Sequence, residues 1–220
     1  MKKLVSILFT LLPLSLVAQN IQYHWDFMKE RNYPTVTIEM FRPDNYGSTF
    51  FFVDMDFADF KDMSLAYMEI SRNQKINKSC PILAHLEYNG GLFAGKNFGG
   101  QIHNAWLLGA AYPFSVNKAN FELQASYKHI LRSGKEANLQ VTGVWDTPIE
   151  NTKLSFSGFI DIWSEKTFFS KDRVLVLLTE PQLWYNFNKN LALGSEVEIS
   201  NNFIDDDIHI FPTFGAKWTF

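Results

Sequence analysis

The C-terminal segment constrains the fold of this chain more than any other part of it. From Ile210 to Phe220 every second residue is apolar, and the residues between them are largely polar. A period of two is the pattern of a β-strand with one apolar face. Outer-membrane β-barrels of Gram-negative bacteria commonly close on such a strand, whose outer face meets lipid. We therefore expect this segment to close a barrel, with Phe220 as the residue that the barrel-assembly machinery binds.

The N-terminus has the pattern of an export signal. A basic start precedes a mostly apolar run from Leu4 to Val17, and Ala18 follows before the polar Gln19. The run is too short and wrongly flanked for a retained membrane anchor. The sequence therefore predicts a signal peptide over residues 1–18, cleaved after Ala18 or Gln19, and one mature domain over residues 19–220.

Composition excludes several other classes of protein. Apolar residues make up 46% of the chain, yet no stretch after the signal approaches the ~20 apolar residues of a membrane-spanning helix. The single Cys80 cannot form an internal disulfide. The net charge of −3 gives no reason to expect a nucleic-acid partner, which normally needs a basic face. We expect no cofactor.

The mature chain consists of about twelve short segments in which apolar and polar residues alternate, separated by turn-forming clusters. The clearest segment sets Phe121, Leu123, Ala125 and Tyr127 against Glu122, Gln124, Ser126 and Lys128. Another, from Ile102 to Tyr112, is nearly apolar on both faces, so its orientation is open. The fold class predicted is all-β, an antiparallel transmembrane β-barrel of about 12 strands. We expect a monomer surrounded by lipid in the outer membrane of a Gram-negative bacterium.

Strand parity also predicts where the surface loops lie. With the N-terminus in the periplasm, Gly90–Gly100, Ser164–Arg173 and Asn202–Asp207 would face outward. They are only modestly longer than the turns predicted at the opposite end.

A soluble barrel with its apolar face turned inward is the alternative fold. Five carboxylates near the middle of predicted strands argue against it, because each would cost several kcal/mol if buried unpaired in an apolar core. They are Asp54, Glu69, Glu122, Glu180 and Glu196. Aromatic residues near the strand ends and the terminal Phe220 also favour the membrane barrel.

The predicted inner face of the barrel is strongly acidic. The inward acids are Asp26, Glu39, Asp54, Asp56, Glu69, Glu87, Glu122, Asp161, Glu180, Glu196 and Glu198. The inward bases in the predicted strands are chiefly Lys128 and Lys217. Such an excess focuses a negative potential along a narrow lumen, so neutral or cationic solutes are favoured over acidic oligosaccharides.

The same face carries many aromatic rings: Phe50, Phe52, Tyr67, Phe159, Trp163, Trp184 and Phe211. Rings beside hydrogen-bonding carboxylates suit a flat polar solute such as a nucleoside. Alternatively, the rings fill a small barrel and the carboxylates belong to structural networks.

Three segments resemble the Tsx-type nucleoside-specific channels of Gram-negative outer membranes. They are Phe50–Asp54, Met68–Ile70 followed by Arg72, and Lys153–Asp161. The chain is also similar, over most of its mature length, to a group of uncharacterised exported proteins. That likeness is carried by Glu87–Gly91, Thr179–Gln182 and Gly194–Phe203.

The resemblance to Tsx channels implies a monomeric twelve-stranded channel for nucleosides. Its matching positions imply the substrate-binding residues Phe50, Phe52, Asp54, Glu69, Phe159 and Asp161. The chain is shorter than typical Tsx channels, so sites built on loops are reduced or missing.

Two other functions stay open. A non-conducting structural or receptor barrel would share the same pattern. An outer-membrane lipid hydrolase needs a Ser and a His on the lipid face; His129 fits, but no Ser is predicted on an adjacent strand at its level. We therefore expect no enzyme.

Three sets of residues could ligate a metal. His85 with Glu87 and His24 with Asp26 lie two apart on one strand face. Asp205–Asp207 could attract calcium in a surface loop. Polar lumen residues and a solvated turn explain these patterns more simply, so no metal site is predicted.

Overall fold

The fold consists almost entirely of antiparallel strands. The computed structural model describes residues 19–58, 62–131, 138–167 and 169–220, so the predicted signal peptide lies outside the described residues. The strands are β1 (Gln19–Asp26), β2 (Pro34–Asp44), β3 (Gly47–Asp56), β4 (Leu65–Lys75), β5 (Leu83–Gly95), β6 (Phe98–Val116), β7 (Ala119–Ile130), β8 (Asn138–Pro148), β9 (Leu154–Glu165), β10 (Val174–Thr179), β11 (Gln182–Asn186), β12 (Leu191–Asn201) and β13 (Ile208–Thr219). One 3-10 turn, Lys29–Arg31, follows β1. Within the described ranges, no helix is long and apolar enough to cross a membrane.

The sheet closes on itself. Ile21 in β1 is the partner of Ile38 in β2 on one side and of Trp218 in β13 on the other. Strands β10 and β11 both pair with β9 and with β12, so they are two parts of one barrel strand. The result is a closed antiparallel barrel of 12 strands, which confirms the predicted fold class.

Each end of the barrel has both short and longer connections. At the end that holds the N-terminus, β2–β3 and β6–β7 are joined by two residues each, 45–46 and 117–118, while β4–β5 are joined by 76–82. At the opposite end, which we call the loop end, β1–β2 and β12–β13 are joined by 27–33 and 202–207. The predicted loop at Asn202–Asp207 is therefore confirmed.

The predicted loop at Gly90–Gly100 is wrong. Strands β5 and β6 continue through it to a two-residue turn at 96–97, with a register shift between Asn89 and Gly91. Gly91 allows its strand to approach β4 closely, since a Cβ at this position would lie 2.4 Å from the carbonyl oxygen of Ala66. Sequence reasoning mistook small strand residues for turn residues.

The exposure of the side chains contradicts the soluble barrel. On β6, Leu108 is 65% exposed whereas its neighbour Leu107 is 1% exposed. On β8, Leu139 is 66% exposed while the polar Gln140 is 4% exposed. Apolar side chains outside and polar side chains inside are the reverse of a soluble protein. The exposed face is therefore the one that meets lipid, and β6 turns its larger residues toward it.

The strand predicted from Val174 to Phe187 is interrupted at Glu180 and Pro181. Pro181 has no N–H to donate to a neighbouring strand. On the adjacent strand β9, Gly158 lies next to the break and has φ +150°. A Cβ at Gly158 would lie 2.5 Å from the Glu180 carbonyl oxygen. Interruptions of this kind re-aim side chains, and here the residue at the break is an acid.

Candidate functional site in the lumen

The lumen is lined by polar side chains that are mostly buried. Buried polar or charged residues on the inward faces of the strands are Gln22, His24, Asp26, Ser71, Asn73, His85, Glu87, Asn89, Ser126, Lys128, Asn138, Gln140, Thr142 and Ser200. In a wide aqueous pore these groups would be accessible to water. The strands therefore enclose a narrow interior that the side chains largely fill.

Two contacts join inward side chains of strands that are not neighbours. The Nδ2 of Asn73 on β4 donates a hydrogen bond of 2.8 Å to Oε1 of Glu122 on β7, although two strands separate β4 from β7. The rings of His24 on β1 and Trp184 lie 5.6 Å apart, and Trp184 is completely buried. The His24–Trp184 contact follows the wall over Gly215 and Gly194, which lie between the two residues in the register.

Four of the six predicted substrate-binding residues form one group on β3 and β4. The rings of Phe50 and Phe52 lie 5.9 Å apart, and Tyr67 lies 6.1 Å from Phe52. The Tyr67 hydroxyl donates a hydrogen bond of 2.6 Å to Glu69. Asp54 accepts a hydrogen bond from the hydroxyl of Thr37. Aromatic faces and carboxylates thus alternate along this wall.

The other two predicted residues lie on β9. Asp161 accepts a hydrogen bond from Thr142 and interacts electrostatically with Glu69 on β4. Phe159 marks the level of the strand interruption, since its carbonyl oxygen accepts hydrogen bonds from Thr179 Oγ1 at 2.6 Å and Glu180 N at 3.2 Å. The six predicted residues therefore lie on two parts of the barrel, four on β3 and β4 and two on β9.

Lys128 organises a group that we call the Lys128 cluster: Lys128, Gln140, Asp161 and Trp163. Lys128 Nζ donates a hydrogen bond of 2.8 Å to Gln140 Oε1 and lies 4.0 Å from the centre of the Trp163 ring. Asp161 and Glu69 contribute opposite charge. Here each carboxylate has a base nearby.

A second group, the Glu180 cluster, consists of the acidic residues Glu180, Glu196 and Asp54, and Lys217 is a base that interacts electrostatically with Glu196. The carboxylate of Glu180 interacts electrostatically with those of Glu196 and Asp54. Glu196 also accepts a hydrogen bond of 2.5 Å from Gln182 Nε2. The sequence placed these acids inward, but the resemblance did not include Glu180 or Glu196 in the site. The Glu-Pro pair inside a strand pattern was the available signal.

Arg31 is the lumen residue that sequence reasoning missed. It lies on the 3-10 turn at the loop end, where strand parity predicts nothing. Its Nη1 and Nη2 donate to the two carboxylate oxygens of Glu198 at 2.5 and 3.0 Å. Its guanidinium carbon lies 4.0 Å from the centre of the Phe211 ring.

The possible metal ligands are engaged in other contacts. His24 contacts Gln22 at 3.0 Å and Thr213 at 3.1 Å, while Asp26 accepts a hydrogen bond from the backbone of Met28. His85 Nε2 lies 3.3 Å from Glu87, and its Nδ1 lies 2.7 Å from Asn73 Oδ1.

The loop-end acids form a compact group. Carboxylate oxygens of Asp205, Asp206 and Asp207 lie within 4.8 Å of one another. Asp205 Oδ1 also lies 2.7 Å from His209 Nε2, and this contact lowers the pKa of the Asp205 carboxyl group.

Within the described ranges, no outward-facing serine lies on a strand adjacent to that of His129. The outward residue Ser164 is on β9, two strands away from the strand of His129. Its hydroxyl accepts hydrogen bonds from the Leu139 backbone at 3.4 Å and from Arg173 at 3.2 Å.

Solved structures with the same fold are outer-membrane barrels. The NanC porin aligns with a TM-score of 0.59 at 8% identity, over 92% of this chain and 100% of that one. The KdgM porin aligns with a TM-score of 0.52 at 10% identity, over 93% and 99%. LpxR from Salmonella typhimurium aligns with a TM-score of 0.51 at 8% identity, over 93% and 100%. At these identities the likeness establishes the fold.

Sequence comparison assigns the family. No curated protein shows detectable similarity to the chain. A family model described as a domain of unknown function, DUF5020, matches residues 18–220. Because this match covers the whole described barrel, the chain belongs to the DUF5020 family.

Proposed function

We propose that the protein is an outer-membrane channel of a Gram-negative bacterium for small neutral or cationic solutes, with nucleosides as the favoured class. The observation that carries this proposal is the acidic, aromatic lumen inside a lipid-facing barrel. The carboxylate of Glu180, in the break between β10 and β11, interacts with those of Asp54 on β3 and Glu196 on β12, which disfavours anions. The Asn73–Glu122 bond restricts passage to small solutes, which must displace these side chains.

The comparison with porins supports a channel and bears on which solutes the channel passes. A structure of the KdgM porin is in complex with disordered oligogalacturonate, a polyanion. Tracks of basic residues suit such anions. In this chain the lumen bases Arg31, Lys128 and Lys217 each lie about 4 Å from an aromatic ring. Because these bases lie against rings and do not form a track, we infer that the channel passes solutes other than polyanions.

The wall formed by β3 and β4 supports nucleosides. Phe50, Phe52 and Tyr67 offer ring faces, and Glu69 and Asp54 offer acceptors for ribose hydroxyls. A base stacked on such a ring gains about 1–3 kcal/mol. The resemblance of Phe50–Asp54 to Tsx channels points the same way.

Conductance in planar bilayers tests the proposal. We expect single-channel steps, a reversal potential that shows preference for cations in a salt gradient, and partial block by nucleosides. Phe52→Ala should weaken the block about tenfold, equivalent to ~1.4 kcal/mol of stacking energy. Phe51→Ala is the matched control, because Phe51 neighbours Phe52 on the same strand but has the outward parity. Equal block in both variants would remove Phe52 from the site.

A non-conducting structural or receptor barrel is the second candidate. The Asn73–Glu122 bridge and the completely buried Trp184 favour it, because they obstruct the interior. A folded barrel that inserts into bilayers without conducting would support this role and contradict the channel.

A further inference from the structure

Glu198 and Phe211 form a rigid pair on the wall of the lumen. They are direct partners in the register of β12 and β13, so their side chains lie beside each other on the inner face. Phe211 is 5% exposed, and the Glu198 side chain is 14% exposed. Backbone hydrogen bonds to the neighbouring strands hold both residues in place, independently of any loop.

Arg31 fills this pair as a ligand would. Both carboxylate oxygens of Glu198 accept from the guanidinium, and the Phe211 ring lies against its face. A planar cation held by a carboxylate fork and an aromatic face is the geometry by which proteins bind guanidinium groups. The pair is therefore a fitted receptor for such a group.

The backbone of Arg31 lies outside the sheet, whereas the backbones of Glu198 and Phe211 lie within it. Arg31 belongs to a three-residue turn outside the sheet, joined locally by Arg31 N to Met28 O at 3.0 Å and Tyr33 N to Arg31 O at 2.7 Å. Its side chain is 24% exposed, so solvent reaches it at the loop end. Movement of this turn would empty the receptor without disturbing the barrel.

The other two lumen cations do not share this freedom. Lys128 lies 4.0 Å from Trp163 and Lys217 lies 4.1 Å from Trp184, but both lysines are strand residues. Among the described residues, the same pairing of cation and ring thus occurs three times in the lumen, and of these three cations only Arg31 belongs to a connecting turn.

We propose that Glu198 and Phe211 form a binding site for planar organic cations, of the guanidinium or amidinium type, at the loop end of the lumen. Arg31 occupies the site in the absence of solute and leaves when a solute cation binds. The proposal rests on the proposed channel and deepens it, because it names a class of cationic solute and the first group that the solute meets.

Chemical rescue of Arg31→Ala tests the site. We expect the variant to conduct more than the wild type, and millimolar guanidinium chloride to restore the wild-type current in a saturable way. Sodium chloride at equal ionic strength should not do so. Guanidinium should bind Arg31→Ala at least tenfold more tightly than the wild type, whose own guanidinium competes. Lys29→Ala removes a base from the same turn and should respond like the wild type.

Double variants identify the receptor. Arg31→Ala/Glu198→Gln should lose the guanidinium response, and Arg31→Ala/Phe211→Leu should weaken it several-fold. A response that is equal in Arg31→Ala and Arg31→Ala/Glu198→Gln would overturn the proposal. If Arg31→Ala does not fold, Arg31→Gln is used, because it retains a polar side chain without the charge.

Thermal unfolding in detergent separates the site from the channel. A saturable rise in Tm with guanidinium in Arg31→Ala, absent from the Glu198→Gln double variant, would support the site even if no form conducts. Conductance without any difference between these variants would leave the channel standing and remove the site.

Discussion

The Lys128 cluster and the Glu180 cluster use the same kinds of residue in opposite ways. In the first, Lys128 lies among Asp161, Glu69 and a Trp163 ring. In the second, Glu180 lies among other carboxylates. Removing one partner of a buried ion pair is strongly destabilising, because the other charge is left uncompensated, whereas grouped like charges repel one another. Under the proposed channel function, the first cluster stabilises the lumen and the second interacts with the solute.

The backbone is regularly paired at the Lys128 cluster and interrupted at the Glu180 cluster. Lys128 lies in the paired region of β7 and β8, next to Asn138 in the register. Glu180 lies at the interruption between β10 and β11, opposite Gly158. Local departures from regular structure concentrate where function requires them.

Replacing Lys128 should have the largest effect on the free energy of unfolding. We expect Lys128→Met to lower the free energy of unfolding by about 3–5 kcal/mol, because it leaves Asp161 and Glu69 buried without their base. Urea unfolding in detergent, followed by tryptophan fluorescence, measures the change. A loss below about 1 kcal/mol would show that the cluster is not structural.

Adding a charge to either face of β7 tests which side accepts it. Leu123→Arg places a cation on the lipid face, where Leu123 is 52% exposed, and should cost about 2–4 kcal/mol. Gln124→Arg is the matched control, because Gln124 lies beside Glu122 in the lumen and already donates to it at 2.7 Å. Equal losses would contradict the assignment of the two faces.

Neutralising the acid at the interruption should change selectivity more than stability. Glu180→Gln removes like-charge repulsion, so the free energy of unfolding should change by less than about 1 kcal/mol and not fall as it does in Lys128→Met. The ratio of cation to anion permeability in a salt gradient should decrease. An unchanged ratio would separate the Glu180 cluster from the solute path.

An exposed ion pair at the end of the barrel that holds the N-terminus should have the smallest effect on stability. Arg72 donates hydrogen bonds of 2.6 and 3.0 Å to Asp44, and these lower the pKa of the Asp44 carboxyl group from 3.8 to about 2. A lowered pKa in the folded state adds stability above pH 4, and this is lost as the pH falls toward 2. Wild-type protein should be slightly more stable than Asp44→Asn at pH 7. The difference should vanish near pH 2 in thermal unfolding.

Much of the barrel was predictable because a barrel strand has a simple period. Alternation placed Gln124 inside and Leu123 outside, and the structure confirms both, since Leu123 is 52% exposed and Gln124 donates a hydrogen bond to Glu122. The segment from Ile102 to Tyr112 was left open, since both of its faces are apolar. Packing against β5 and β7 decided that Leu107 lies inside.

The site was predictable only in part, for a physical reason. The period of a strand gives the face of each residue but not its partner across the lumen. The bond between Asn73 and Glu122 depends on curvature of the whole sheet. Arg31 lies on a turn, where no period applies.

By itself, the sequence determined the 12-stranded lipid-facing barrel, its acidic interior and the walls that carry Phe52 and Asp161. Only the tertiary structure decided which charges are compensated, because closure of the sheet brings distant strands together. It placed Lys128 between Asp161 and Trp163, grouped Glu180 with other acids, and brought Arg31 onto Glu198. Charge balance in a lumen is a property of the closed sheet, since no single strand contains both partners.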